Sequence, residues 1–152
     1  MADFHVQGTQ TVAGTFDTTL TLEIASSTRF KIYEFTSGFT LASPSDNLLT
    51  TSGHRFVTAD GAGSAFTPNP LDPADAAAIT TCLENHTTEP TTYSSNEEVW
   101  GPVAQHMRAT YRWVSAPGKE LVSSVTASTG IGFYAEHASV TPEHVLSLYF
   151  SE

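Results

Sequence analysis

Residues 107–136 read MRATYRWVSAPGKELVSSVTASTGIGFYAE, and this stretch decides the fold class. Met107, Ala109, Tyr111 and Trp113 fall on one side of an extended chain, with Arg108, Thr110 and Arg112 on the other. A period of two is the mark of a strand with one buried and one wet face. Ala116-Pro117-Gly118-Lys119 then supplies turn chemistry. Proline presets φ at the first corner, and glycine accepts the positive φ that a type II turn needs at the second. Leu121 and Val125 resume the alternation, with Ser123 breaking the apolar set between them. Ala127-Ser128-Thr129-Gly130 interrupts the chain again, and Ile131, Phe133 and Ala135 form the next inward set. The expected order is strand, tight turn, strand, second turn, strand. No side chain in the block is chosen for chemistry, so the sheet itself is expected to be the platform for function.

The same alternation extends outward along the chain. Leu20, Leu22 and Ile24 face one way, and Thr19, Thr21 and Glu23 the other. Leu146, Leu148 and Phe150 oppose Val145, Ser147 and Tyr149 near the C-terminus. Phe4 to Gly8 is a short first strand, and residues 9–17 read as a Gly/Thr-rich loop. Between Phe30 and Phe35 the pattern slips: Phe30 and Ile32 share a face, while Tyr33 and Phe35 lie on the opposite one. Either a bulge shifts the register by one residue, or both faces are covered. Residues 38–53 are long and polar around Ser43-Pro44-Ser45-Asp46-Asn47 and read as an exposed excursion, and residues 25–28 as a connection. Asp60-Gly61-Ala62-Gly63 is a turn signal. Asp72-Pro73-Ala74-Asp75 resembles a helix start of at most a turn or two, with Asp72 as N-cap. Residues 79–83 have β composition, 84–96 read as a loop, and 97–102 as a short strand and turn. Eight to eleven short strands with almost no helix describe an antiparallel β-sandwich or jelly roll. Neither an internal repeat nor a linker is visible, so residues 1–152 form a single domain.

Composition narrows the function classes. The 152 residues carry 6 Lys and Arg against 16 Asp and Glu, for a formal net charge of -10. An acidic chain with scattered cations is unsuited to direct nucleic-acid binding, which needs clustered Lys or Arg. The only cysteine, Cys82, excludes an intrachain disulfide and reads as a small buried side chain. The first residues lack the basic and apolar regions of a signal peptide, and no apolar run is long enough to span a membrane.

Recognisable catalytic patterns are missing. The six histidines, His5, His54, His86, His106, His137 and His144, form neither H-x-H nor H-E-x-x-H. His137 and His144 flank a turn and could meet across a hairpin. Asp46 with Asn47, and Asp72 with Asp75, do not alternate as a calcium loop does. Glu97 and Glu98 are adjacent, so in a strand they point to opposite faces. No nucleophile elbow or phosphate cradle is present, and neither a metal nor a cofactor is expected. The remaining signal is apolar residues opposite their strand's core set: Tyr33, Phe35, Val114, Val122, Tyr134, Val145 and Tyr149. They are either the inner face of a second sheet or a subunit interface. Aromatic side chains are favoured anchors in interfaces, which singles out Tyr33, Phe35, Trp100, Tyr134 and Tyr149 as contact residues between subunits or with a partner.

Several stretches together carry a family likeness: TLTLEIASSTRFKIYEF at 19–35, TPNPLDPADAAA at 67–78, EEVWGPV at 97–103, RWVSAPGKELV at 112–122 and GIGFY at 130–134. The chain resembles the jelly-roll head decoration, or cement, proteins of tailed bacteriophages. Relatives often carry a proline-containing acidic link where this chain has residues 25–28. The resemblance implies a non-enzymatic homotrimer on the outer surface of the virion capsid, added in the host cytoplasm. There it would bridge neighbouring major capsid proteins against internal DNA pressure, with no contact to nucleic acid or membrane. The rival reading is a trimeric receptor- or glycan-binding knob from a phage tail or adhesin.

Overall fold

A computed structural model of the chain describes every residue except 15, 26–27, 42–45, 59, 91–92 and 138, and every side chain except those and 94–97. The first half holds β1 (Asp3–Thr11), β2 (Asp17–Glu23), β3 (Lys31–Thr40), β4 (Leu48–Phe56), β5 (Ala62–Phe66) and β6 (Asn69–Pro70). The second half holds β7 (Thr81–Thr88), β8 (Tyr93–His106), β9 (Tyr111–Val114), β10 (Leu121–Val122), β11 (Gly130–Glu136) and β12 (Glu143–Ser151). The protein is all-β, with every pairing antiparallel. One sheet runs β10-β3-β12-β1-β6, with β9 also on β3, and the other runs β5-β7-β2-β11-β4-β8. No helix of the described residues is long and apolar enough to cross a membrane.

The core lies between the sheets. Phe4, Val6, Ile32, Phe35, Leu146, Leu148 and Phe150 come from the first sheet, and Leu20, Leu22, Cys82, Ile131 and Phe133 from the second. Cys82 is a free, buried thiol whose ionisation burial opposes, so it serves as a small apolar side chain. The expected inward sets of β2, β11 and β12 are the observed ones.

The slip between Phe30 and Phe35 is a bulge. Tyr149 pairs with Glu34 and Phe150 with Ile32, so Tyr33 is the extra residue. The one-residue insertion returns Phe35 to the inner face, where it is wholly buried. The expectation that Phe35 is a subunit or shell contact is therefore corrected: it is core, stacked on Trp113 at 5.2 Å.

The opening stretch also pairs differently from a hairpin. Residues 116–119 do form the expected turn, with Lys119 N–H donating to the Ala116 carbonyl at 2.9 Å and Gly118 at φ 77°. Its two flanking strands, however, do not pair with each other. β9 lies along residues 34–37 of β3, and β10 along residues 31–32. They form one edge, interrupted by an excursion of residues 115–120. β11 then crosses to the second sheet.

Other expectations change as well. β3 and β4 occupy most of the supposed 38–53 loop, and residues 43–45 of its centre lie outside the described residues, as do 26–27 of the 25–28 connection. Residues 84–88 and 93–96 are strand rather than loop. Residues 84–88 were unreadable because Asn85, at φ 49°, breaks the alternation of β7. Residues 97–102 belong to the 14-residue β8. The segment after Asp72 is a turn without helix: Asp72 Oδ1 accepts from Ala74 N–H at 2.9 Å and its carbonyl from Asp75 N–H at 3.0 Å. The side-chain bond competes with helix propagation.

Candidate interaction surface

The outer face of the first sheet is built by register. His5, Tyr149, Glu34 and Val114 stand in one row across β1, β12, β3 and β9. The bulge swings Tyr33 beside them, its ring 6.4 Å from that of Tyr149 and 26° from parallel. The His5 ring lies 4.9 Å from Tyr149, and its Nε2 is 2.8 Å from Ser147 Oγ. Arg112 Nε donates to Glu34 Oε1 at 2.7 Å in the next row. Partial burial, then the negative charges of Asp3 and Glu34, raise the Tyr33 phenol, which stays a neutral donor. Tyr33, Tyr149 and His5 are each half-buried, and Val114 is 54% exposed. The result is a patch of flat rings and polar tips, the chemistry favoured for protein contact.

Tyr134 lies elsewhere, on the outer face of the second sheet. Phe16 stacks on it at 3.9 Å, and its hydroxyl is 3.1 Å from His54 Nε2. Tyr93 reaches over Gly132, where any Cβ would collide with the phenol. Its hydroxyl is 3.0 Å from Thr18 Oγ1. Glu89 closes the cluster, accepting from the Thr18 N–H at 3.1 Å and from the Thr18 hydroxyl. Burial pushes the Glu89 carboxyl up in spite of those donors. Trp100 belongs to neither face. It packs edge-on against Phe35 at 4.7 Å and near Tyr111 at 5.5 Å, at the margin of the core. Of the five contact residues expected from the sequence, only Tyr33 and Tyr149 come together.

A third polar group is sealed inside. Ser37 donates its hydroxyl proton to Gln105 Oε1 at 2.8 Å, so Ser37 Oγ must accept from His144 Nε2–H at 2.8 Å. The His144 Nδ1 lone pair then accepts from Thr19 Oγ1 at 2.5 Å. Gln105 Nε2 donates to the carbonyls of Ser37 and Ala109. Ser37 and His144 come from the first sheet, Thr19 and Gln105 from the second, so the chain of bonds pins the sheets together. Ser37 and His144 stand as close as a nucleophile and its base, but Nε2 here carries the proton and each residue is 1% exposed. Burial lowers His144 to about 3 and keeps it neutral.

His137 does not meet His144. Its Nδ1 accepts from the backbone N–H groups of Ser139 and Val140. Among the described residues no three His, Cys, Asp or Glu side chains gather as metal ligands. An open cleft of about 580 Å³ is lined by Arg55, Phe56, Thr126 and Thr129, and the Arg55 guanidinium there already donates to the Val122 carbonyl at 2.6 Å. Sequence reading missed His5, Phe16 and Tyr93 because a single chain does not say which strands lie side by side. The chain matches no protein-family model, and comparisons with curated proteins and with solved structures returned no match.

Proposed function

We propose that this protein is a bacteriophage head decoration protein, a homotrimer that binds the outer capsid surface and ties neighbouring major capsid proteins together. The observation that carries the reading is the Tyr33–Tyr149–His5 stack, held half-exposed on the outer face of the first sheet. Such a face gains adhesion by covering aromatic area, and several copies in one trimer multiply weak contacts into avidity. The pairing order supports a jelly roll: β1 with β12, β2 with β11, β3 with β9 and β10, and β4 with β8 nest like a long hairpin rolled over itself. In this reading β5, β6 and β7 are an insertion between the fourth and fifth nested strands. An acidic exterior suits a protein separated from the genome by the shell.

The test is co-sedimentation with expanded heads of the encoding phage assembled without this chain. Wild-type protein should pellet with the heads at micromolar concentration, and the Tyr33→Ala, Tyr149→Ala double variant should stay in the supernatant. Wild-type protein that never pellets would sink the reading. Retention on a glycan array instead would favour the receptor-binding knob.

A further inference from the structure

The open cleft of about 580 Å³ lies where β4 ends and the chain crosses from the first sheet to the second. One wall is Arg55 and Val57 at the end of β4, and the other is Ser124, Thr126 and Thr129 of the connection from β10 to β11. That connection is tied along its length. Ser123 N–H donates to the Phe30 carbonyl at 3.0 Å, and Ser128 N–H to the Ile24 carbonyl at 3.0 Å. Between these anchors, Thr126 N–H donates to Ser124 Oγ at 3.1 Å and the Thr129 hydroxyl to the Thr126 carbonyl at 2.7 Å. The wall is therefore set before any ligand arrives.

The groups that face the cleft are rich in donors and poor in acceptors. A guanidinium has five N–H donors, and Arg55 gives one of them to the Val122 carbonyl at 2.6 Å. Arg108 lies 3.5 Å from the Asp46 carboxylate and Arg112 2.7 Å from that of Glu34. Among the described residues no carboxylate lies within 4.0 Å of Arg55. Glu23, paired with Gly130 of the cleft, is engaged with Asp60 and Ser128 instead. Ser124 Oγ accepts from Thr126, so its own proton is left to donate outward, and Thr126 is exposed with a hydroxyl that donates or accepts. Val57, 44% exposed, adds an apolar rim.

We infer that the cleft binds a sugar acid, its carboxylate on Arg55 and its ring hydroxyls on Ser124 and Thr126. A carboxylate accepts two parallel N–H bonds from one guanidinium, which suits the donors left on Arg55. One negative charge fits better than a phosphate dianion. Arg55 is the one cation among the described residues lining the cleft, and a chain of net charge -10 repels a second negative charge. An amino acid is a poorer match, because no carboxylate in the walls meets its ammonium group. The wall hydroxyls pair with sugar hydroxyls, and Val57 meets the C–H face of the ring. The inference goes beyond the decoration reading and does not rest on it, since the Tyr33–Tyr149 face uses other residues.

Glucuronate titrated into the free protein at constant ionic strength, followed by amide NMR, tests it. Signals of Val57, Thr126 and Gly130 should shift and saturate with a Kd of roughly 1 mM, the scale of a ligand this small. Glucose, which lacks the carboxylate, and inorganic phosphate should each bind about tenfold more weakly or worse. Arg55→Gln should weaken glucuronate about tenfold or more. Val57→Glu should do the same by setting a carboxylate against Arg55, and its exposed position keeps the test valid if Arg55→Gln loosens the Val122 contact. Circular dichroism checks the fold of both. The proposal is overturned if no saturable shift appears up to about 20 mM, if glucose or phosphate binds as well as glucuronate, or if Val57→Glu binds like wild type. A glutamate-rich peptide that binds more tightly than glucuronate would assign the cleft to a protein partner and overturn it too. Wild-type protein that binds glucuronate but never pellets with heads would remove the decoration reading and leave this one standing.

Discussion

Gly53 of β4 lies directly opposite Phe133 of β11, and a Cβ on Gly53 would stand 2.9 Å from the Phe133 ring edge. The ring cannot easily retreat, because Phe35 packs against it at 5.2 Å and Trp100 lies at 6.5 Å. Overpacking a filled core costs about 1–3 kcal/mol. Gly53→Ala should lose stability in that range in a urea titration, with the slope unchanged. Phe133→Leu in the same chain should recover part of the loss by vacating the space.

The sealed His144 gives the fold an acid dependence. Its unfolded value is near the ordinary 6.5 and its folded value is lowered to about 3 by burial. Above pH 6.5 both states hold it neutral, and it contributes no slope. Below that the unfolded state takes up the proton first, so stability falls by up to about 1.4 kcal/mol per pH unit until the folded value is reached. Unfolding free energies measured from pH 7.5 to pH 4 should show this fall. His144→Gln should be less stable at neutral pH but flatter across the window, and an unchanged slope would remove His144 from the explanation.

Phe35 and Tyr149 should separate fold from adhesion. Phe35→Ala removes a wholly buried ring and should cost about 3–5 kcal/mol. Tyr149→Ala, on the half-exposed outer face, should cost less than about 1 kcal/mol beyond the loss of its ring contacts. Thermal melts combined with head pelleting should therefore give one variant that loses stability and another that loses binding.

Glu89 satisfies the N–H and hydroxyl of Thr18, a residue with no exposed surface. Glu89→Ala strands those donors and should destabilise the fold by about 1–3 kcal/mol. Glu89→Gln, which keeps an acceptor, should recover much of that. Hydrogen exchange at the Thr18 amide would rise sharply in the first variant and little in the second.

Alternation along one strand says which side chains share a face, and in β2, β11 and β12 that was enough to name the core. It does not say which strand lies next door. The sequence therefore revealed the turn at Pro117-Gly118 but not that β9 and β10 both flank β3. Tyr33 and Phe35 were legible as a slip, yet only a bulge of one residue decides which ring is buried. Residues 84–88 escaped notice because a strand near a sheet edge, with Asn85 at positive φ, needs no apolar rhythm.

The excursion of residues 115–120 has a further consequence for how such a body can be crowded beside its neighbours. β9 offers four residues and β10 two, separated by a detour around a proline. A foreign strand arriving at this flank would find too few consecutive rungs to zip onto. Molecules packed at high local density can thus lean on one another at this flank through side chains, without their backbones pairing across it.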